Sequence, residues 1–378
     1  MTDRKHPFKE LLSSTRTDWD CAGTPAHIRT NFSKTSDRGT AALGAEVFAS
    51  ATETKVSYHT CKSRFCPSCG VRATQLWQAE IEAALPDIEY VNVNLTMPDV
   101  LWPHLQEHSG LLHDFSGLAA HAIMSWAYSR YRVRLLVMVV PQTFGGLLNF
   151  HPHLHVLVSA GGLREAAGEW VPRVQFDKQE LMESWRFAVI TYLGRMVDLL
   201  SANPGQLKQT LKLQYARRWN VFVSRTISKT QFLRYAGRYL RRPPITESRI
   251  TFISKDELEY YAKNTRAKQR VRLRFTPEAF VKTMEQHVPQ HYAHGVRYFG
   301  LLAPRTKHAT AAGIFALLRQ KRRPRRRRLD WATSLRNHFG TDPLIDSRGQ
   351  QMKWVGRLKP NHAARYLDSA ARGPRGSP

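Results

Sequence analysis

Residues 133–140 and 148–158 are two apolar runs of strand length separated by Gly145-Gly146. A glycine loop this short reverses the chain without a crossover helix, so the two runs are expected to pair antiparallel. A further segment, residues 90–97, alternates strictly, with Val91, Val93, Leu95 and Met97 on one face and polar groups on the other. That pattern predicts a half-buried strand with a polar working face. Helical periodicity lies between and beyond these runs. Ala73, Leu76, Trp77, Ile81 and Leu85 recur at helical spacing until Pro86, and a second helix is expected around residues 118–131. Asp177 can cap a long helix reaching about residue 200, and Ser228-Lys229-Thr230-Gln231 is a capping-box pattern ahead of a helix ended by Pro243-Pro244. Strands are expected at 219–224, 249–253 and 270–275, with a helix opening at Thr276-Pro277-Glu278. The fold class is α+β, with a central antiparallel sheet flanked by helices.

Charge decides the partner. Lys and Arg number 57 against 30 Asp and Glu, a formal net charge of +27. Such an excess opposes folding by self-repulsion unless a polyanion neutralises it, so nucleic acid is the expected partner. The longest apolar stretch is far below the roughly 20 residues a membrane helix needs, and no apolar segment follows the basic N-terminus. A cytoplasmic protein with no membrane partner is expected. The run Arg322-Arg323-Pro324-Arg325-Arg326-Arg327-Arg328 reads either as a phosphate-contacting segment or as a solvated charge run.

Three groups of residues carry chemistry. In Phe150-His151-Pro152-His153-Leu154-His155 strand alternation puts His153 and His155 on one face, and two neutral imidazoles there are half of a divalent-metal site. A third ligand is needed; Gln142, across the glycine turn, is the nearest candidate and His151 the alternative. In the segment 232–244, Tyr235 and Tyr239 fall at i and i+4, ringed by Arg234, Arg238, Arg241 and Arg242. Gly237 in their midst is best explained by something approaching the backbone there. A phenol is a poor nucleophile unless a metal or cation stabilises the phenolate and the phosphate it attacks. The third group, Cys61-x4-Cys66-x2-Cys69, reads as a structural Zn²⁺ knuckle that needs a fourth ligand, for which His59 and Cys21 are available.

Taken together, a His-hydrophobic-His strand followed by a Tyr-x3-Tyr helix resembles the HUH superfamily of single-strand nucleases. The segments from Gln142-Thr143-Phe144-Gly145 through His155, Gly161-Gly162-Leu163, Tyr235 to Ile245 and Arg297-Tyr298-Phe299-Gly300-Leu301-Leu302-Ala303 narrow the resemblance to the two-tyrosine transposases of rolling-circle insertion sequences, the IS ninety-one family. The resemblance implies that His153, His155 and Gln142 bind catalytic Mg²⁺ or Mn²⁺. It implies that Tyr235 and Tyr239 attack phosphates of single-stranded DNA at transposon ends and targets, giving 5′-phosphotyrosine and a free 3′-hydroxyl. Two departures stand out: relatives place a further Cys-x2-Cys where Phe48-Ala49-Ser50-Ala51-Thr52-Glu53 stands here, and a cysteine pair where Asp346-Ser347-Arg348-Gly349 stands. Three parts are expected: residues 1–86, a zinc-binding module with its linking helix; 87–306, the HUH-type catalytic domain; and 307–378, a basic C-terminal region. The rival readings are a plasmid relaxase or replication initiator with the same chemistry, and a non-catalytic DNA-binding regulator. The oligomeric state is not legible.

Overall fold

The structure, a computed structural model, describes residues 6–237, 243–252, 254–264, 267, 269–322, 330, 332–333, 336 and 342–361. In chain order the helices are α1 (Pro7–Ser14), α2 (Arg16–Trp19), α3 (Ala26–Ser36), α4 (Pro67–Ala84), α5 (Trp102–Glu107), α6 (Leu111–Tyr131), α7 (Lys178–Gly194), α8 (Val197–Leu200), α9 (Pro204–Gln214), α10 (Lys229–Tyr235), α11 (Pro277–Glu285) and α12 (Pro304–Leu317). The strands are β1 (Ala45–Ala49), β2 (Thr54–Tyr58), β3 (Tyr90–Thr96), β4 (Leu136–Phe144), β5 (Phe150–Ser159), β6 (Gly162–Arg164), β7 (Glu169–Val171), β8 (Val221–Val223), β9 (Ile250–Phe252), β10 (Leu258–Asn264), β11 (Gln269–Phe275), β12 (Arg297–Gly300) and β13 (Lys353–Leu358).

The centre is a five-stranded sheet in the order β12-β4-β5-β3-β8, antiparallel at every pairing. The hairpin expected across Gly145-Gly146 forms it, with Val137 opposite Val158 and Gln142 opposite His153. Helices cover both faces, which is why the two central strands read as nearly unbroken apolar runs. On one face Val91, Val93 and Leu95 of β3 join Val137, Val139, Leu154 and Val156 against Phe115 and Ile123 of α6 and Trp185 and Val189 of α7. On the other, Leu136, Met138, Val140 and Leu157 meet Trp77 and Ile81 of α4, Phe232 of α10 and Ile314 of α12. Beyond Val140 and Leu157 this second face turns polar, and the candidate site lies there.

Several elements differ from expectation, each for a packing reason. Helix α6 starts at Leu111 because Leu111, Leu112 and Phe115 are buried in the core. Asp177 does cap α7, accepting from the Gln179 and Glu180 amides, but the helix stops at Gly194 and only one short turn, α8, follows. The expected zinc module, residues 1–86, also holds α1 and α3, whose Phe8, Leu11, Ile28 and Phe32 form a core with Tyr260, Phe280 and Met284. Strand β10 carries no strong alternation of its own and was not expected; it is the centre of the sheet β11-β10-β9. The boundary expected at 306/307 falls inside α12, and β13 returns to pair with β1, Ala45 opposite Leu358, so the chain's last described strand completes the N-terminal sheet β13-β1-β2. No described helix is long and apolar enough to cross a membrane.

Candidate active site and zinc module

Strand alternation places His153 and His155 of β5 on the face shared by Asn92 and Asn94 of β3 and by Gln142 of β4, since Asn94 is opposite His155 and Gln142 opposite His153. The two Nε2 atoms converge to 3.2 Å. Each ring is held from behind: His153 Nδ1 donates to the His151 carbonyl at 2.7 Å, and His155 Nδ1 to Asn94 Oδ1 at 2.7 Å. With both Nδ1 atoms committed to acceptors, the two Nε2 lone pairs face each other, an arrangement that a shared cation relieves. Burial pushes His153 down to about 4, and burial with the neighbouring His153 pushes His155 down to about 3, so both imidazoles are neutral at neutral pH. His151 sits one step along the strand with its ring against Trp102 at 5.2 Å.

The capping box predicted at Ser228 is present and sets α10, with Ser228 Oγ accepting from the Gln231 amide and the Gln231 side chain accepting from the Ser228 amide. The helix delivers Tyr235 to the imidazoles. Its hydroxyl lies 3.3 Å from His155 Nδ1 and accepts from Asn92 Nδ2 at 3.1 Å. Asn92 Oδ1 is buried without a hydrogen-bond partner among the described residues. What approaches Gly237 is Gln78 of α4: a Cβ at 237 would lie 1.8 Å from Gln78 Nε2, which donates to the Leu233 carbonyl at 2.8 Å. Asn92 and Asn94 were not singled out from sequence, although the alternation of residues 90–97 already marked their face as polar. Tyr239, Arg238, Arg241 and Arg242 lie outside the described residues, as do Arg323, Arg325, Arg326, Arg327 and Arg328; Arg234 and Arg322 are exposed.

In the N-terminal module the sulfurs of Cys61, Cys66 and Cys69 lie within 4.8 Å of one another. Cys66 caps α4 and Cys69 sits in its first turn, where the helix N-terminus favours a thiolate. Hydrogen bonds from Cys61 and Cys66 hold Cys69 low, while Cys61, as donor, is pushed up. Three such thiols suit zinc, which takes them as thiolates. His59, expected as a fourth ligand, is not brought into the thiol group here: its Nδ1 bonds the Leu43 carbonyl at 3.0 Å and its Nε2 bonds Glu46 at 3.1 Å. Cys21 is exposed and bonds Thr24 at 3.4 Å. The two stretches that depart from the cysteine pattern meet: Ser50 and Thr52 donate to Asp346 Oδ2 at 2.7 and 2.9 Å, and the Ser347 amide donates to Glu53 at 2.9 Å.

The sheet thus presents paired imidazoles to a tyrosine and is joined to a thiol-bearing module in a strongly basic chain. Comparison with known proteins gives the class: a family model described as "Putative transposase" matches residues 137–310, and one described as "Transposase zinc-binding domain" matches residues 8–97. The chain is 31% identical over 284 residues to the transposase for insertion sequence element IS801 of Pseudomonas savastanoi pv. phaseolicola, covering 71% of this chain and 68% of that protein. It is 24% identical over 299 residues to a protein described as "Putative transposase y4qJ" of Sinorhizobium fredii (strain NBRC 101917 / NGR234), covering 74% of this chain and 75% of that one. No solved structure matches. The chain belongs to the IS ninety-one family of insertion-sequence transposases. A zinc-binding domain and a three-thiol cluster in the same module together support a structural zinc.

Proposed function

We propose that this transposase is a metal-dependent HUH single-strand endonuclease and strand transferase, with Tyr235 and Tyr239 as nucleophiles. The observation that carries the reading is the convergence of His153 and His155 Nε2 at 3.2 Å, both aimed by partners on Nδ1, with Tyr235 beside them. Gln142, opposite His153, completes the ligand set from the neighbouring strand. When bound there, Mg²⁺ or Mn²⁺ polarises the scissile phosphate. The protein's part is to position: Asn94 and the His151 carbonyl orient the imidazoles, and Asn92 holds the phenol oxygen and stabilises its charge as it develops. The Tyr235 oxygen bonds to phosphorus while the bond to the 3′ oxygen breaks, leaving a 5′-phosphotyrosine and a 3′-hydroxyl. The phenol's proton passes to solvent and the leaving oxygen takes one from water. The phosphodiester energy is kept in the tyrosyl ester, so rejoining needs no nucleotide triphosphate.

In this reading residues 87–306 carry the chemistry and residues 1–86 form the zinc module, with Cys61, Cys66 and Cys69 as ligands and β13 supplying its third strand. Arg234 and Arg322, with the arginines at 238, 241, 242, 323 and 325–328, contribute phosphate contacts. The test is incubation with labelled single-stranded DNA carrying the element's ends and Mn²⁺, followed by a denaturing gel. A covalent adduct is expected, retained in part by Tyr235→Phe and Tyr239→Phe singly and lost in the double variant, and lost with DNA binding spared in His155→Ala. An adduct that persists in the double variant refutes the tyrosine assignment.

A further inference from the structure

The sheet β11-β10-β9 has one face in the core and one in solvent, and the two are sharply different. Ile250, Leu258, Tyr260 and Ala262 are buried against the N-terminal helices and α11, with Leu273 and Phe275 packed on them. The register sets Arg270 opposite Lys263, Arg272 opposite Tyr261 and Arg274 opposite Glu259, so the outer face carries a row of arginines with a second cation and a tyrosine alongside. Arg272 and Arg274 side chains are 67% and 69% exposed. Arg274 is partly committed, 3.2 Å from Glu259 and 3.5 Å from Glu257, and Arg272 lies 4.0 Å from Glu259, whereas Lys263 and Arg270 have no carboxylate partner among the described residues. The guanidinium of Arg272 lies over the Tyr261 ring at 5.4 Å. The segment 263–274 holds Lys263, Arg266, Lys268, Arg270, Arg272 and Arg274 and no acidic residue.

A single lysine or arginine is enough to protect an edge strand from pairing with another chain; three arginines in alternation on β11 exceed that need. Alternate residues of a strand stand about 7 Å apart on one face, a straight comb of positive charge. Its placement relative to the candidate site is fixed: the Lys263 amide donates to the Gly146 carbonyl at 3.2 Å, in the loop that joins the two strands bearing Gln142 and His153. The comb therefore begins, with Lys263 and Arg270, at the tip of the site's own hairpin and runs away from it through Arg272 to Arg274.

We infer that this face binds the single-stranded DNA that flanks the site, the arginines and Lys263 taking phosphates and Tyr261 offering a stacking surface. Cations interleaved with an aromatic ring on an open sheet suit unpaired nucleotides, whose bases are free to stack while the backbone is neutralised. The inference rests on the family's action on DNA and does not require the tyrosine and histidine assignments.

The test is fluorescence anisotropy of the full chain with a labelled single-stranded oligonucleotide, without metal, over a series of salt concentrations. Each phosphate contact on a single strand contributes roughly 0.7 to the slope of log K against log salt. Arg270→Gln with Arg272→Gln should flatten the slope by about 1.4, and adding Lys263→Gln should bring the change to about 2. These are solvent-facing positions, and an unchanged thermal midpoint confirms folding. Lys208→Gln with Lys212→Gln, on the exposed side of α9, removes equal charge elsewhere and should alter the slope less. An unchanged slope in the triple variant, an equal change in the α9 control, or a loss seen only with duplex DNA overturns the assignment. A flattened slope in a protein that makes no tyrosyl adduct would keep this face and refute the nuclease reading alone.

Discussion

Asn94 offers the sharpest test of the histidine pair, because among the described residues its side chain reaches the site through His155. Replacing it by leucine keeps the bulk and removes the acceptor that the His155 Nδ1–H reaches at 2.7 Å. The ring then loses both its orientation and the tautomer that leaves Nε2 free toward His153, 3.2 Å away. Losing such an outer partner of a metal-bound histidine typically weakens metal binding by about 10- to 100-fold, or ~1.4–2.7 kcal/mol. Asn94→Asp should act oppositely, since a carboxylate facing Nδ1 raises the basicity of Nε2. The assay is calorimetric titration of Mn²⁺ into wild type and both variants at pH 7.5, with adduct formation measured at saturating and limiting metal. The leucine variant should need at least tenfold more Mn²⁺ to reach half-maximal adduct, and the aspartate variant no more than wild type. Identical Mn²⁺ isotherms for wild type and Asn94→Leu would refute the claim that these imidazoles form a metal site oriented through their Nδ1 atoms.

Other consequences are as definite. Purified protein should carry about one zinc per chain by elemental analysis, and Cys69→Ser should lower both the zinc content and the thermal midpoint. His287 is buried, with its Nδ1 3.0 Å from Thr143 and its Nε2 3.0 Å from the Leu148 carbonyl, and burial pushes it down to about 4. The unfolded chain, with histidine near 6.5, binds more protons between those values, so stability is full above about pH 6.5 and falls as pH drops toward 4, by up to about 3 kcal/mol from this residue. Denaturant titrations across that window should show a shallower decline for His287→Gln; an equal decline rejects the assignment. Gly237→Ala should destabilise because its Cβ would collide with Gln78, and Gln78→Ala should relieve part of that cost in a double-mutant cycle; strict additivity would show that the two do not touch in solution.

The central hairpin, the capping box and the polar face of residues 90–97 were legible because each depends on local pattern: period-two alternation, a glycine loop, a serine three residues before glutamine. The pairing of His153 and His155 was legible for the same reason. What was not legible depends on partners distant in sequence. The packing of Phe8, Leu11 and Phe32 needs Tyr260 and Phe280, more than 200 residues on, to make a core, and a polar-looking segment gives no sign of it. Basic composition after residue 307 suggested a separate region, yet Leu358 pairs with Ala45 and Asp346 accepts from Ser50 and Thr52. His59 looked available as a zinc ligand, and only the fold shows its two nitrogens taken by Leu43 and Glu46.

These distant partners also tie the zinc module to the chemistry. Cys66 and Cys69 stand at the N-terminus of α4, so a metal held there fixes where that helix begins and how it is aimed. Farther along the same helix, Trp77 Nε1 donates to the Tyr298 hydroxyl at 2.7 Å and Gln78 Nε2 to the Leu233 carbonyl at 2.8 Å. Leu233 belongs to α10, two residues before Tyr235, and Gly237 leaves room for the same glutamine. One helix thus has the thiol cluster at its N-terminus and, three turns on, a grip on the tyrosine helix. Zinc removal should therefore lower the rate of adduct formation at temperatures where the central sheet is still folded, with the affinity for Mn²⁺ unchanged, because the imidazoles belong to strands that α4 packs against but does not hold. A chelator that weakened Mn²⁺ binding and adduct formation together would mean that α4 supports the whole site; one that left both intact would mean that the grip of Gln78 on α10 does not depend on the metal.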